Sequence, residues 1–192
     1  MLIYTWPYAL FFWLVSLWAF SPEFRIIRAR PDSSTPSQDA NSKRLIIFGQ
    51  GIATVAAFVI AGAVPAAAFS HRETWFWIGL CLIVAGSLLR RHCWRMLGSS
   101  FTGDVIVKPD QTVVENGAYR YIRHPSYTAG GLMYLGIALC LGNWISLVLI
   151  LGAAVFIYGY RIAVEERALV SVIGEPYRDY MNRTKRFVPF LF

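Results

Sequence analysis

Apolar positions along the chain fall in long unbroken runs separated by short polar, basic stretches, a pattern that predicts helices crossing a lipid bilayer. Leu2 to Pro22, Leu45 to Ser70 and Thr74 to Leu89 contain no Asp, Glu, Lys or Arg, and neither does the run from Pro125 to Tyr160. That last run, 36 residues long, would extend about 54 Å as one helix against a hydrocarbon core of about 30 Å, so it must fold back on itself. Leu141-Gly-Asn-Trp144 is the expected turn, with Gly and Asn breaking the helix and Trp at interface depth. The expected fold is therefore all-α and integral to the membrane, with five transmembrane helices near 2–21, 45–70, 74–97, 125–141 and 144–162, the last two forming a helical hairpin. All five belong to a single membrane domain, 1–192, whose polar motifs lie within 99–192.

Local chemistry refines each element. Span one, rich in Trp and Phe, is expected to stop at Ser21-Pro22 and to act as a peripheral anchor. Ala29 to Ser42, with Pro31 and Pro36, reads as a mobile linker. Ala53, Ala57 and Ala61 give span two a small-residue face for close packing on a helix of this chain or of a second copy, and Pro65 is expected to kink it. Span three continues past Leu89 as an amphipathic extension that Gly98 ends, with Arg90, Arg91 and Arg95 snorkelling to lipid headgroups in preference to contacting a substrate directly. Val105-Ile-Val107 and Thr112-Val-Val114 flank a turn at Lys108–Gln111, which leaves room for a short β-hairpin over the site. Gly174 ends the last long helix, and Pro176 is expected to prevent its restart.

Composition agrees with the pattern: 56% hydrophobic residues, 15% charged and a mean hydropathy of +0.48 exclude an ordinary soluble domain. The net charge of +7 points to a membrane surface and not to nucleic acid, because 17 of the 18 Lys and Arg residues fall in loops on one side of the expected spans. The positive-inside rule then places the N-terminus outside and the C-terminus, with both polar motifs, in the cytoplasm. The first charge is Glu23, after the apolar run, so no cleavable signal is expected. Cys81, Cys93 and Cys140 are odd in number and lack metal-type spacing, and the three His are scattered, so neither a disulfide framework nor a metal site is expected.

Two polar stretches carry candidate chemistry. In Gly117–Gly131, Arg120, Arg123 and His124 crowd against Pro125, which suits the first turn of a helix. The free N–H groups of that turn favour an anion, and Gly130-Gly131 lets a ligand approach the backbone. Tyr119 and Tyr127 flank the same turn. In the second stretch Arg161 and Glu165 share a helix face at i, i+4, with Glu166 about 100° further round. As a surface ion pair this order is the weaker one, worth roughly 0.3–0.5 kcal/mol at best, so a functional role is the better reading. The tail Tyr177–Phe187 reads as an interface anchor, or as a segment folded over the site with Tyr177 or Tyr180 lining it.

Gly117-x-Tyr119-x-x-x-Arg123-His124-Pro125-x-Tyr127, then Arg161-x-x-x-Glu165-Glu166-x-x-Leu169 and Gly174-x-x-Tyr177-x-x-Tyr180, resembles the isoprenylcysteine carboxyl methyltransferase family and the related phospholipid N-methyltransferases, over roughly the last ninety residues. The resemblance implies S-adenosylmethionine as cofactor, with S-adenosylhomocysteine as product, bound at the cytoplasmic ends of the last two spans. It also implies a lipophilic or lipidated acceptor arriving from the bilayer. It places His124, Pro125, Tyr127 and Gly130 or Gly131 at the cofactor. Arg123 and His124 are then suited to its carboxylate, and Glu165 or Glu166 to its ammonium or ribose hydroxyls. Arg161 is the candidate for orienting the acceptor. A carboxylate acceptor needs no base, whereas an amine, phenol or thiol would call on Glu165 or His124. Two rival readings are an NADPH-dependent sterol-type membrane reductase, which shares the arginine-histidine-proline pattern, and a non-enzymatic lipid-binding protein on the same scaffold.

Overall fold

The computed structural model describes residues 1–28, 37–98, 101, 103–108 and 110–187. The described residues form seven α-helices: α1 (Tyr8–Arg28), α2 (Ser42–Arg44), α3 (Gly51–Ala63), α4 (Arg72–Leu97), α5 (Pro125–Leu141), α6 (Trp144–Ile173) and α7 (Glu175–Arg183). A π-helical turn, Leu45–Gln50, joins α2 to α3, so Ser42–Ala63 is one continuous helical stretch. That stretch, α4 and α6 are long and apolar enough to cross a membrane, while Tyr8–Phe24 and Pro125–Leu141 are shorter apolar helices.

The most intimate packing is between α4 and α5, where glycines let two backbones meet. A Cβ on Gly136 would lie 2.5 Å from the Gly79 carbonyl oxygen, and one on Gly86 would lie 2.7 Å from that of Ala129. Apolar side chains gain little from each other in lipid, so such backbone-to-backbone contact is a main source of helix cohesion there. The alanine face of α3 finds its partner within the chain: Ala57 is fully buried, and its carbonyl accepts from Ser146 Oγ of α6 at 2.7 Å. The main core gathers Phe12 of α1, Phe76 and Ile83 of α4, Met133 and Ile137 of α5 and Ile150 of α6.

Two ends are distinguishable. At one, Phe69 N donates to Gly142 O at 2.8 Å and Asn143 Nδ2 to Val64 O at 2.9 Å. Gly142 sits at φ +62° and Asn143 caps α6 by accepting from Ile145 N and Ser146 N, so the expected turn forms through local chemistry. At the other end Lys43 pairs with Asp104 at 2.8 Å, Gln38 N reaches Val105 O at 2.8 Å, and Arg123 N reaches Lys185 O at 2.7 Å. The basic loops thus converge on a single end. The 30 residues of α6 rise about 45 Å, beyond a hydrocarbon core of about 30 Å, so the helix carries Arg161 to Ile173 out toward that end.

Several expectations need correction. α1 does not stop at Pro22 but runs through it to Arg28. The Trp18 carbonyl that proline leaves without a helical donor accepts instead from Ser21 Oγ at 2.9 Å and from Arg91 Nη2 at 2.7 Å. Pro65 ends α3 two residues earlier and opens a 3₁₀ turn, Pro65–Ala67, where it kinks nothing. No strand forms among the described residues of 101–116: Val105 and Val107 pack against Val164 and Ala168 of α6, so their β-prone alternation serves a helix face and no partner strand. Pro176 does not stop the chain from re-entering a helix, because it occupies the first turn of α7, where its missing N–H has no role. Of the expected mobile linker, 29–36 lies outside the described residues, whereas 37–42 is docked, with Asp39 and Ser42 buried.

The glycine contact generates a prediction. Gly136→Ala must push α4 and α5 apart and should destabilise the protein by about 1–3 kcal/mol, read as a lower thermal midpoint in detergent. Gly152→Ala, where a Cβ meets nothing within 4 Å, should leave it unchanged. Equal midpoints would show that the glycine contact does not hold the two helices together.

Candidate functional site

The site is built around Glu166. Its carboxylate, buried in the structure, accepts from Arg123 Nε at 3.0 Å, lies 3.2 Å from His124 Nε2 and pairs with Arg186 Nη2 at 2.8 Å. Arg123 also donates through Nη1 to the carbonyls of Met181, at 2.8 Å, and Thr184. The segment after α7 crosses the start of α5 as a strap: His124 N donates to Arg186 O at 3.1 Å and Thr128 Oγ1 to Phe187 O at 2.8 Å. Gly117, at φ +60°, turns the chain into this region, and Pro125 opens α5 with His124 as its N-cap, as the sequence leads one to expect. Tyr180 anchors the same corner, its hydroxyl donating to Tyr119 O at 2.6 Å. Burial pushes the Tyr180 phenol up to about 12 and those of Tyr119 and Tyr177 higher still, so all three are protonated donors at neutral pH.

Beside this clamp lies a cavity of about 340 Å³, near the lower end of the roughly 300–1,000 Å³ usual for small-molecule sites. His124, Tyr119, Tyr127, Glu165, Arg161 and Tyr177 contribute polar groups to its wall. Phe20 and Phe24 of α1, Ile46 and Ile47 of the π-helical turn, and Met133 of α5 make the wall apolar elsewhere. Loop residues Val105 to Val107 and Gln111 to Val114 complete it. Arg90 stands in the same wall. Its Nη2 reaches Glu23 Oε2 at 2.8 Å and its Nη1 reaches Ser126 Oγ at 2.8 Å and Ser126 O at 3.0 Å.

Arg161 and Glu165 share one hydrogen-bonded row. Tyr127 OH donates to Glu165 Oε2 at 2.7 Å and accepts from Arg161 Nε at 3.1 Å. The rest of the Arg161 guanidinium is held by Asp39, by Ser42 Oγ at 2.7 Å and by Gly103 O at 2.9 Å. Burial pushes the Asp39 carboxyl up, but the Lys43 N–H, the Arg161 guanidinium and the Ser42 hydroxyl together hold it below its ordinary value. The second oxygen of Glu165 takes no hydrogen bond among the described residues.

Of the residues the sequence singled out, Tyr119, Arg123, His124, Tyr127, Gly130, Arg161 and Glu165 line the cavity, whereas Pro125, Gly131 and Glu166 do not. A Cβ on Gly130 would fall 2.5 Å from Tyr158 OH, so this glycine makes room for a tyrosine. Arg90 and Arg91 are turned inward, toward Glu23 and Trp18, instead of snorkelling to headgroups. Glu23, Asp39, Ser42, Ser126 and Tyr158 were not foreseen at the site, and Arg90 takes the place there that the sequence offered it only as the second choice. A lone acid ending an apolar run, at Glu23, was the one signal available for that pair.

Residues 77–171 match the isoprenylcysteine carboxyl methyltransferase (ICMT) family. The chain is 34% identical over 114 residues to the protein-S-isoprenylcysteine O-methyltransferase of Schizosaccharomyces pombe, covering 58% of this chain and 47% of that protein. It is 30% identical over 125 residues to protein-S-isoprenylcysteine O-methyltransferase B of Arabidopsis thaliana, covering 62% of this chain and 63% of that one. Among solved structures, that of the eukaryotic intramembrane Ras methyltransferase ICMT aligns with a TM-score of 0.64 at 28% identity, over 73% of this chain and 52% of that one. The chain spans about half the length of the first relatives it matches, 47%, 41% and 49% of three of them. Through residues 77–171, just under half of its length, the chain is similar to the isoprenylcysteine carboxyl methyltransferase family.

Proposed function

We propose that this chain is an integral membrane methyltransferase that uses S-adenosylmethionine to methylate a lipid-borne carboxylate of the prenylcysteine type. The observation that carries the reading is the composition of one cavity. A carboxylate with an unused oxygen, Glu165, stands in the same wall as His124, Tyr127 and an apolar surface of Phe20, Phe24, Ile46 and Ile47. The names of the matched relatives support the same chemistry. All five apolar helices cross the bilayer in this reading, α5 and α6 as a hairpin, and the concentration of Lys and Arg at one end makes that end cytoplasmic.

S-adenosylmethionine supplies an electrophilic methyl group on a sulfonium and brings an ammonium and ribose hydroxyls that a carboxylate can hold. The residues present fit it. Glu165, oriented by Tyr127, offers its second oxygen to that ammonium or those hydroxyls, and the protonated Tyr177 and Tyr119 phenols offer donors to its carboxylate. Arg123 and Glu166, spent on each other and on the strap, shape the pocket instead of touching the ligand. Arg90, between the polar wall and α1, is the cation for the acceptor carboxylate, which can exchange with Glu23. The apolar wall receives the lipid. A carboxylate acceptor needs no general base, so positioning and exclusion of water supply the catalysis.

Isothermal titration with S-adenosylhomocysteine and, separately, NADPH tests the reading: binding of the first alone is expected, and binding of NADPH alone would replace it with a reductase. Glu165→Gln removes a charge-assisted contact of about 1.5–3 kcal/mol, so S-adenosylhomocysteine should bind roughly 10- to 100-fold more weakly at a near-constant thermal midpoint. Glu166→Gln should do the reverse, because breaking a buried ion cluster leaves cations unpaired at a cost of about 3–5 kcal/mol. Its signature is a large fall in midpoint. Arg90→Gln should raise KM for a prenylcysteine acceptor at least tenfold while changing donor KM little; equal effects on both would remove Arg90 from the acceptor side.

A further inference from the structure

Asp39 lies outside the segment that matches the family, in the polar stretch between the first two apolar runs. It is nevertheless tied into the cavity wall. Its carboxylate accepts from Ser42 Oγ at 3.0 Å, Lys43 N at 3.0 Å and Val105 N at 3.3 Å, and it pairs with Arg161 Nη1. Arg161 in turn donates through Nε to Tyr127, whose hydroxyl donates to Glu165. Three links, each within hydrogen-bond reach, run from a loop carboxylate to Glu165, whose second oxygen takes no hydrogen bond among the described residues.

The charge of Asp39 has a specific consequence for that oxygen. Arg161 and Glu165 are four residues apart on one helix face, the spacing at which opposite charges meet. Both are in the wall of the same cavity, and a buried guanidinium that lost its counter-ion would turn to the nearest carboxylate. With Asp39 charged, the guanidinium plane is committed to Asp39, Ser42 and Gly103, and only its Nε faces Tyr127. Glu165 then accepts from the Tyr127 phenol and from no arginine among the described residues, which leaves its second oxygen to a ligand.

We propose that Asp39 is a positioning residue for the donor pocket: by engaging Arg161 it keeps that arginine off Glu165 and so preserves Glu165 as the carboxylate that meets the cationic end of the methyl donor. The inference rests on the methyl-donor reading above and extends it to a loop outside residues 77–171.

The test is a double-mutant cycle on S-adenosylhomocysteine affinity, measured by titration of the full chain in detergent. Asp39→Asn, close in size but uncharged, should weaken binding roughly 10-fold. In a Glu165→Gln background it should change little, because there is no charge left for Arg161 to mask. Asp39→Glu should restore part of the affinity, and Glu115→Gln, which breaks an exposed pair with Arg183 outside the cavity, should leave it unchanged. If Asp39→Asn does not fold, Ser42→Ala, which removes the second Nη1 anchor, carries the same cycle with a smaller effect. Wild-type binding with additive effects of the two substitutions overturns the role of Asp39 and leaves the donor reading standing. No binding by the wild type overturns the donor reading, and the role of Asp39 with it.

Discussion

One buried carboxylate decides how this end of the molecule is assembled. The start of a helix is the positive end of its dipole, a poor place for a cation, yet Arg123 is placed there beside the N-cap His124. Left alone, its guanidinium would be repelled by the exposed N–H groups of α5. Glu166 from α6 removes that difficulty by accepting from Arg123 with His124 Nε2 3.2 Å away, and it gathers Arg186 from the strap at the same time. The start of α5, the projecting end of α6 and the segment after α7 are therefore held to a single charge. The cavity is the space left between them and α1. A basic motif that would read in isolation as an anion site thus has an acid of its own at hand.

That clamp works only if α5 arrives at the right depth, and the apolar half of the molecule fixes the depth. Lipid offers no hydrophobic reason for helices to associate, so position along an axis must come from shape. Gly79, Gly86 and Gly136 supply shape in its strictest form, since a single added Cβ would meet a backbone carbonyl. Sliding α5 against α4 would bring Ile83 or Met133 into the places that only glycine fills. Backbone contact in the membrane interior and ion pairing at the basic end thus fix opposite ends of the same helix.

Much of this was legible from the chain, and what was legible was local. Pro125 starting a helix, Gly142-Asn143 turning one, and Gly98 and Gly174 ending two more follow from residues within a few positions of the event. The misreadings share a different feature, in that a partner distant in sequence changed the local rule. Pro22 is tolerated inside α1 because Arg91 takes the carbonyl it strands. Val105 and Val107 alternate like a strand but find a helix to cover. Arg90 turns inward because Glu23 is there to meet it, and Asp39 is drawn from an apparent linker by Arg161. Gly130 is a glycine for the sake of Tyr158, which no spacing rule could indicate.

The same pairings set the electrical character of the cavity. Three arginines stand in its wall, and each is paired with an acid: Arg123 with Glu166, which it shares with Arg186, Arg161 with Asp39 and Arg90 with Glu23. Glu165 also stands there, and its partner is a neutral phenol. Adjacent residues on a helix point about 100° apart, which is how Glu166 can face the clamp while Glu165 faces the cavity. A chain with a net charge of +7 in this way presents at the polar end of its pocket a carboxylate that accepts from no arginine among the described residues. A ligand that brings an ammonium to that end would gain a charge-assisted hydrogen bond there. The arginines then neutralise the surrounding wall so that this one carboxylate is felt.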